Sequence, residues 1–161
     1  MGNFSKDPQT VLQDALEKGY TRVRFQQGKP VLDRELNLFG DLASPQRLAE
    51  HHFGNGVPAD SDGFRISALD VAGNDFTIGA GRCLVDGYEV ALAANTTYQT
   101  QPHGENVVPF PVGASNVYLR VFSSEVTGAQ DADLNNAGVG DVGFETAIRE
   151  KAEWEVLVTT A

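Results

Sequence analysis

Few side chains in this sequence have the types and spacing that catalysis or metal binding requires. The three histidines comprise an adjacent pair, His51 and His52, and an isolated His103. Neighbouring residues on a helix point about 100° apart, so such a pair seldom shares one metal ion. The single cysteine, Cys83, lies in an alternating run typical of a strand, and no local pattern supplies a histidine to activate it. These residues predict neither a metal site nor a nucleophilic thiol.

An acidic stretch in the last third of the chain has part of the spacing of a calcium-binding loop. Asp131, Asp133 and Asn135 occupy the first ligand positions of that motif. Asn136 stands where the loop needs glycine, and Val142 stands where it needs a bidentate glutamate. Because these defining positions fail, the pattern favours a solvated acidic loop.

Glycine-rich stretches and scattered carboxylates complete the candidates for chemistry. Residues 79–81 and 138–140 share only glycines with phosphate-binding loops, since both lack the lysine and the following helix. Carboxylates could form an acid–base pair, but nothing selects one among Asp33, Glu35, Asp86, Glu89, Glu125 and Glu145. We therefore predict a protein that is not an enzyme and that holds no cofactor.

The composition restricts the classes of partner. The 161 residues suit one domain, or one domain with an arm, and the formal net charge is −10. Phosphate backbones and anionic membrane surfaces repel a chain of this charge. No apolar run approaches the roughly 20 residues that span a bilayer, and the N-terminus lacks the apolar region of a secretory signal. We expect synthesis in the cytoplasm, no binding of nucleic acid and no insertion into membranes.

Helical patterns dominate the first third of the chain. An Asp-Pro pair followed by an apolar stripe predicts a helix over residues 7–19. Alternating apolar and polar residues predict a half-buried strand over Thr21–Gln26. Residues 33–53 again have a helical pattern, which a Ser-Pro pair at Ser44 divides into two helices. We interpret residues 1–58 as an N-terminal helical and arm segment that docks on a partner.

The remaining residues, 59–161, change to the period of two that is typical of strands. Asp86 and Gly87 stand between two alternating runs and predict a hairpin turn. A proline-rich loop follows at 101–113, and strands are predicted over Val117–Phe122 and Lys151–Thr160. The predicted fold class is α+β and mainly β, with N-terminal helices and an arm followed by an antiparallel β-sandwich or barrel-like domain.

Residues 23–37 carry the pattern V-R-x-Q-Q-G-x-x-x-L-D-x-E-x-N. This resembles the opening of an uncharacterised structural family encoded in the contractile-tail gene clusters of phages and phage-tail-like injection systems. Members of that family have aspartate at the position of Glu35. Residues 81–87, with the pattern G-x-x-x-V-D-G, resemble a hairpin of tail-fibre and baseplate proteins. Further motifs follow in the family's order: V-Y-L-R-V at 117–121, E-V-T at 125–127, D-A-D-L at 131–134, E-T-A-I-R at 145–149 and W-E-V at 154–156.

The resemblance implies a structural component of a contractile tail or injection particle, at the baseplate or at the root of a tail fibre. Its partners would be other tail subunits and sister copies, and its place the assembled virion tail or phage-tail-like particle. Fibre-like parts imply three-fold symmetry, hence a homo-trimer. Family members usually continue into fibre-like or β-helical parts, so this chain would be the leading part of a longer protein or a minimal member.

Two other functions compete with this interpretation. A carbohydrate-binding module for host-surface glycans could stack sugars on aromatic side chains, for which the candidates are Tyr88, Tyr98, Tyr118 and Trp154. A glycan hydrolase would need two of the scattered carboxylates to act together.

Apolar side chains that a lone small domain would struggle to bury are the candidates for docking. The strand Val117–Phe122 has large side chains on both faces, which predicts either a central strand or a subunit contact. The competing explanation is that one β-sandwich buries both faces. The candidate docking and interface residues are Val23, Phe25, Leu32, Leu36, Phe39, Phe110, Tyr118 and Phe122.

Overall fold

A computed structural model describes residues 4–104, 107–136, 144–145 and 147–161. The fold is α+β and mainly strand, as predicted. Its helices are α1 (Pro8–Glu17), α2 (Asp33–Leu42) and α3 (Pro45–His52), and a 3₁₀ turn spans Ala132–Leu134. The strands are β1 (Ile66–Asp70), β2 (Asp75–Ile78), β3 (Gly81–Val85), β4 (Tyr88–Leu92), β5 (Thr96–Thr97), β6 (Ser115–Val126), β7 (Asn135–Asn136), β8 (Phe144–Glu145) and β9 (Arg149–Thr160).

Local capping chemistry sets where two of the helices begin. The Asp7 carboxylate accepts a hydrogen bond from the Thr10 backbone N–H at 2.9 Å and so caps α1. The Ser44 hydroxyl oxygen accepts from the Gln46 N–H at 3.2 Å and caps α3. Both caps precede a proline, whose missing N–H costs nothing in the first turn. The predicted helices and the break between α2 and α3 are thus confirmed.

The prediction of a strand over Thr21–Gln26 is wrong. These residues join none of the sheets in the described part of the chain. Alternation reports which side chains share a face, and a strand also needs a neighbour to satisfy its N–H and C=O groups. This arm instead runs between α1 and α2 with Val23 half-buried.

All described strand pairs are antiparallel. One sheet has the order β1-β2-β5, and three pairs of strands stand separately: β3-β4, β6-β9 and β7-β8. No closed barrel forms among these strands. Buried side chains from β2, β4 and β9 meet in one core with Tyr98, namely Phe76, Ile78, Val90, Trp154, Val156 and Val158.

The β3-β4 hairpin joins the N-terminal segment to the β-rich part. Asp86 and Gly87 have φ angles of 47° and 80°, the positive values that a two-residue hairpin turn needs. A side chain at Gly87 would collide with the carbonyl of Gln46 in α3. The backbones of Gly56 and Leu84 also exchange two hydrogen bonds, at 2.9 and 2.8 Å. The hairpin, α3 and the chain after α3 are therefore fixed to one another.

β6 and β9 form the longest ladder, which pairs Ser115 with Thr160 at one end and Val126 with Arg149 at the other without a register shift. The buried Gln101 side chain closes the outer edge of β9. Its amide oxygen accepts from the Val156 N–H at 2.6 Å, and its amide nitrogen donates to the Val156 carbonyl at 2.9 Å. One side chain thus satisfies both backbone groups of a buried strand residue.

Replacing Gln101 by alanine should destabilise the protein by about 2–4 kcal/mol, because both backbone groups of Val156 lose their partner. Chemical denaturation monitored by the fluorescence of Trp154 measures this free energy of unfolding. Gln13→Ala, at an exposed site on α1, is the control and should be nearly neutral. A loss no larger than that of the control would contradict the assigned role of Gln101.

Candidate functional site

The N-terminal segment has almost no core of its own. Ala15 is the only side chain fully buried in α1, and neither α2 nor α3 buries one. The packing of α1 against α2 is supported by Ser5, whose backbone N–H and hydroxyl donate to the Asp33 carboxylate at 2.8 and 2.5 Å. These hydrogen bonds hold the pKa of Asp33 below its ordinary value. Two short helices and an arm therefore bury little apolar surface among themselves, and the Ser5–Asp33 hydrogen bonds help to hold them together.

Large apolar side chains cover the outside of this segment instead. Phe25 is 48% exposed and Phe39 is 52% exposed, and their ring centroids lie 6.1 Å apart. Leu36, one turn before Phe39 on α2, is 53% exposed. Others that lie exposed between residues 4 and 58 are Leu16, Tyr20, Val31, Leu32, Leu48, Phe53 and Val57. Exposed apolar surface of this extent is typical of an interface.

The structure brings several of the predicted docking residues together. Val23 and Phe39 line a cleft of about 300 Å³ with Leu42. Phe25 contacts Phe39 beside it, and Leu32 immediately precedes α2, which carries Leu36. We call Val23, Phe25, Leu32, Leu36 and Phe39 the arm–α2 surface.

A larger groove of about 750 Å³ lies between α1, the arm and α2. Its apolar lining residues are Val11, Ala15, Val23, Leu38 and Leu42. Basic side chains also line it, and they exceed the two acidic ones, Asp14 and Glu35; the basic residues are Lys6, Lys18, Arg22, Arg24 and Arg34. The groove combines an apolar surface with positive charge.

The basic lining was missed by the sequence reasoning, although a count by segment could have found it. Residues 1–58 contain seven Lys or Arg and seven Asp or Glu, whereas residues 59–161 contain five and fifteen. The net charge of −10 therefore lies entirely in the second part. Lys18 and Arg34 pair with acidic neighbours, but Arg22 and Arg24 have no carboxylate partner in the described part of the chain.

The predicted interface residues of the β-rich part do not form one surface. Tyr118 is 45% exposed on β6. Phe122 is half-buried, with the His103 ring 5.4 Å away and the Arg120 guanidinium 5.0 Å from its ring centroid. Phe110 packs against the core, with its ring centroid 5.7 Å from those of Phe76 and Tyr98. Tyr118 is thus the most accessible of the three.

The aromatic residues suggested for sugar stacking are mostly inside the fold. Tyr98 has no exposed surface, and Trp154 is 6% exposed in contact with Phe64. Tyr88 is half-buried at the β3-β4 hairpin, which leaves Tyr118 as the exposed one of the four. A flat platform of several exposed rings does not exist among them.

The other candidates for chemistry have structural surroundings. Burial raises the pKa of the half-buried Cys83 thiol, which disfavours the reactive thiolate. Asp131 caps the 3₁₀ turn by accepting from the Asp133 N–H at 3.1 Å. His51 and His52 are exposed at the end of α3. Within the described residues, no three acidic, histidine or cysteine side chains cluster to hold a metal ion. Residues 138–140 and Val142 lie outside the residues that the structure describes.

The scattered carboxylates are mostly held by neighbours rather than directed into a shared cleft. Glu35 pairs with Arg34, Glu89 pairs with Arg82, and Glu145 accepts from the Gly128 N–H. Asp33 is held by Ser5, and Asp86 lies in the hairpin turn. Partners are thus given for four of the six carboxylates, and Asp86 and Glu125 lie at the hairpin turn and near the end of β6.

The β6-β9 pair buries one carboxylate that the sequence did not single out. Glu155 is 1% exposed, and its Oε1 lies 2.7 Å from Nε of Arg120, its cross-strand neighbour. Nearby on β9, hydrogen bonding from Lys151 lowers the pKa of Glu153, which also lies 3.4 Å from the imidazole of His103. Arg120, Glu153 and Glu155 lie on the face of the β6-β9 pair away from the main core.

No family model, curated protein or solved structure matches this chain. No helix of the described residues is long and apolar enough to cross a membrane.

Replacing both Phe25 and Phe39 by serine should change the free energy of unfolding by less than about 1 kcal/mol, because both rings are half exposed. Binding of a fluorescent apolar dye should fall at the same time. The control is Phe110→Ser, which removes a ring from the core and should cost about 3 kcal/mol. Equal losses in the two variants would show that the arm–α2 surface is already packed.

Proposed function

We propose that this protein is a non-enzymatic assembly subunit that docks through its N-terminal segment on another protein of a larger particle. The supporting observation is that residues 4–53 expose a row of large apolar side chains while burying only Ala15. Helices of 8–10 residues are marginal in water without packing. A partner that covers the arm–α2 surface would supply the missing packing.

The side chains that line the groove between α1, the arm and α2 indicate what kind of partner segment would fit it. Apolar side chains in its lining favour an apolar segment, and the unpaired Arg22 and Arg24 favour carboxylates beside it. A partner helix or loop with both features would gain burial and ion pairs together. Binding should weaken as ionic strength rises, since the rim charges are exposed to solvent.

We propose that the particle is a contractile tail or a phage-tail-like injection system. The ordered motifs at residues 23–37 and 117–156 carry this part of the proposal. The chain would lie at the baseplate or at the root of a fibre, with sister copies beside it. Within the β-rich part, the β1-β2-β5 sheet and the β6-β9 pair would face each other as a sandwich across the core formed by Phe76 and Trp154.

The carbohydrate-binding alternative has little support in the positions of its aromatic residues. Tyr98 and Trp154 are buried, and Tyr118 offers one exposed ring. A glycan array with the isolated chain separates the two functions. Selective binding that Tyr118→Ala abolishes would favour recognition of a surface glycan.

Docking predicts that a chain lacking residues 1–39 will not enter the assembled particle. A sharper variant replaces Phe25 and Phe39 by aspartate, which puts charge on the arm–α2 surface without touching the main core. Electron microscopy and quantitative blotting of purified particles measure incorporation. We expect at least a tenfold loss, equivalent to about 1.4 kcal/mol.

The matched control for that experiment is Val112→Asp, an equally drastic change at a fully exposed loop position. It should enter particles at the normal level. Normal incorporation of the double aspartate variant would contradict docking through this surface.

A further inference from the structure

The strand β6 has one paired edge, along β9, and one open edge. The direction of its backbone groups follows from Gln101. Because Val156 bonds through both its N–H and its C=O to that side chain, its backbone groups point away from β6. Directly opposed residues in an antiparallel pair either exchange both hydrogen bonds or direct both groups outward. Leu119, which faces Val156, therefore directs its N–H and C=O away from β9.

The same holds for every second residue of β6. Val117, Val121 and Ser123 share the orientation of Leu119, since the register with β9 continues without a shift. In the part of the chain that the structure describes, these four residues have no hydrogen-bond partner for their outward N–H and C=O groups. Within the described residues, a row of unsatisfied donors and acceptors runs along this edge.

The two outer edges of the β6-β9 pair differ in whether another group occupies their backbone donors and acceptors. Gln101 occupies the edge of β9 and shields it from strand addition. The edge of β6 has little of the usual protection: β6 contains no proline, its ladder has no bulge, and its charged residues are Arg120 and Glu125. Val117 and Tyr118 are 43% and 45% exposed beside it. A long edge without proline or bulge is a template for another strand.

We propose that β6 of one copy pairs antiparallel with β6 of a second copy, which makes a continuous four-stranded sheet in the order β9-β6-β6-β9. A second copy carries the same row of donors and acceptors, and a two-fold axis makes this row complementary to itself. Pairing β6 with β9 of the next copy would instead build a ring or an open chain. Gln101 blocks that arrangement, because it already bonds the middle of the β9 edge.

This interface is separate from the N-terminal docking surface, and it predicts a dimer rather than the trimer implied by the resemblance. Val117 and Tyr118, half exposed in one copy, would gain cover from the other. The interaction depends on backbone hydrogen bonds along β6, so a change that removes one outward N–H tests it with little effect on the interior of the domain.

Two adjacent serines provide a matched pair of variants. Ser123→Pro removes an outward N–H, whereas Ser124→Pro removes an N–H that bonds to β9 and the hydroxyl that hydrogen-bonds to Glu153. Sedimentation of the wild-type chain should show a dimer at high micromolar concentration. Ser123→Pro should raise the dissociation constant roughly tenfold or more and leave the thermal midpoint of the diluted protein unchanged. Ser124→Pro should lower that midpoint.

Residue-resolved amide exchange provides a second measurement that needs no substitution. At high concentration the amides of Val117, Leu119, Val121 and Ser123 should be protected, and on dilution they should exchange rapidly. The amides of Tyr118 and Phe122, which bond to β9, should stay protected at both concentrations.

Several results would overturn the proposal. One is a wild-type chain that stays monomeric at every concentration. Another is a trimer, or a dimer that Ser123→Pro leaves intact. A third is rapid exchange of the four outward amides at high concentration. Equal destabilisation by the two proline variants would contradict the assigned direction of the backbone groups. Association through the N-terminal segment alone would be insensitive to Ser123→Pro, so the two surfaces can be told apart.

Discussion

The unbroken ladder between β6 and β9 is the interaction on which the rest of the β-rich part depends. It presents Trp154, Val156 and Val158 on one face, where they meet the side chains of β2 and β4. Without that face the three-stranded sheet and the β3-β4 hairpin would have no common core. The other face buries Glu155 against Arg120, so a missing partner there would leave a buried charge. The β6-β9 ladder thus contributes one face to the apolar core and carries the Arg120–Glu155 ion pair on the other.

The N-terminal segment lies outside this core. It touches the β-rich part through α3 and the Gly56–Leu84 pairing, at the tip of the β3-β4 hairpin. Short helices with little buried surface belong to the low-stability end of a protein. Their charge also differs, because the basic residues concentrate in the segment and the acidic excess lies beyond it. A β-rich part with one core thus carries a segment that buries little apolar surface of its own.

The sequence predicted the parts of the fold that short-range chemistry decides. Asp7 and Ser44 each cap a helix by accepting from an N–H two or three residues away, and the Asp86-Gly87 turn needs only two positive φ angles. These signals are local and do not depend on the rest of the chain. The sequence also shows that Phe25 and Phe39 are apolar, but it does not predict that their rings lie side by side.

Long-range contacts decided what the sequence could not. The arm at 21–26 alternates like a strand, but no neighbouring strand reaches it within the described residues. Gln101 lies in a loop that reads as polar and exposed, and its role depends on Val156, which is 55 residues away. Phe110 is a docking candidate in the sequence because its loop adds apolar side chains that a small domain would struggle to bury, yet it packs beside Phe76 and Tyr98. In each case the residues that decide the structure lie far away in the sequence, so a local pattern cannot reveal them.

We propose that the N-terminal segment acquires its stability from a partner. Amide hydrogen exchange with mass spectrometry, on the free chain and on assembled particles, tests it directly. In the free chain, α1 and α2 should exchange orders of magnitude faster than β2 and β9, and in the particle they should become protected. Protection of α1 and α2 equal to that of β9 in the free chain would contradict the account.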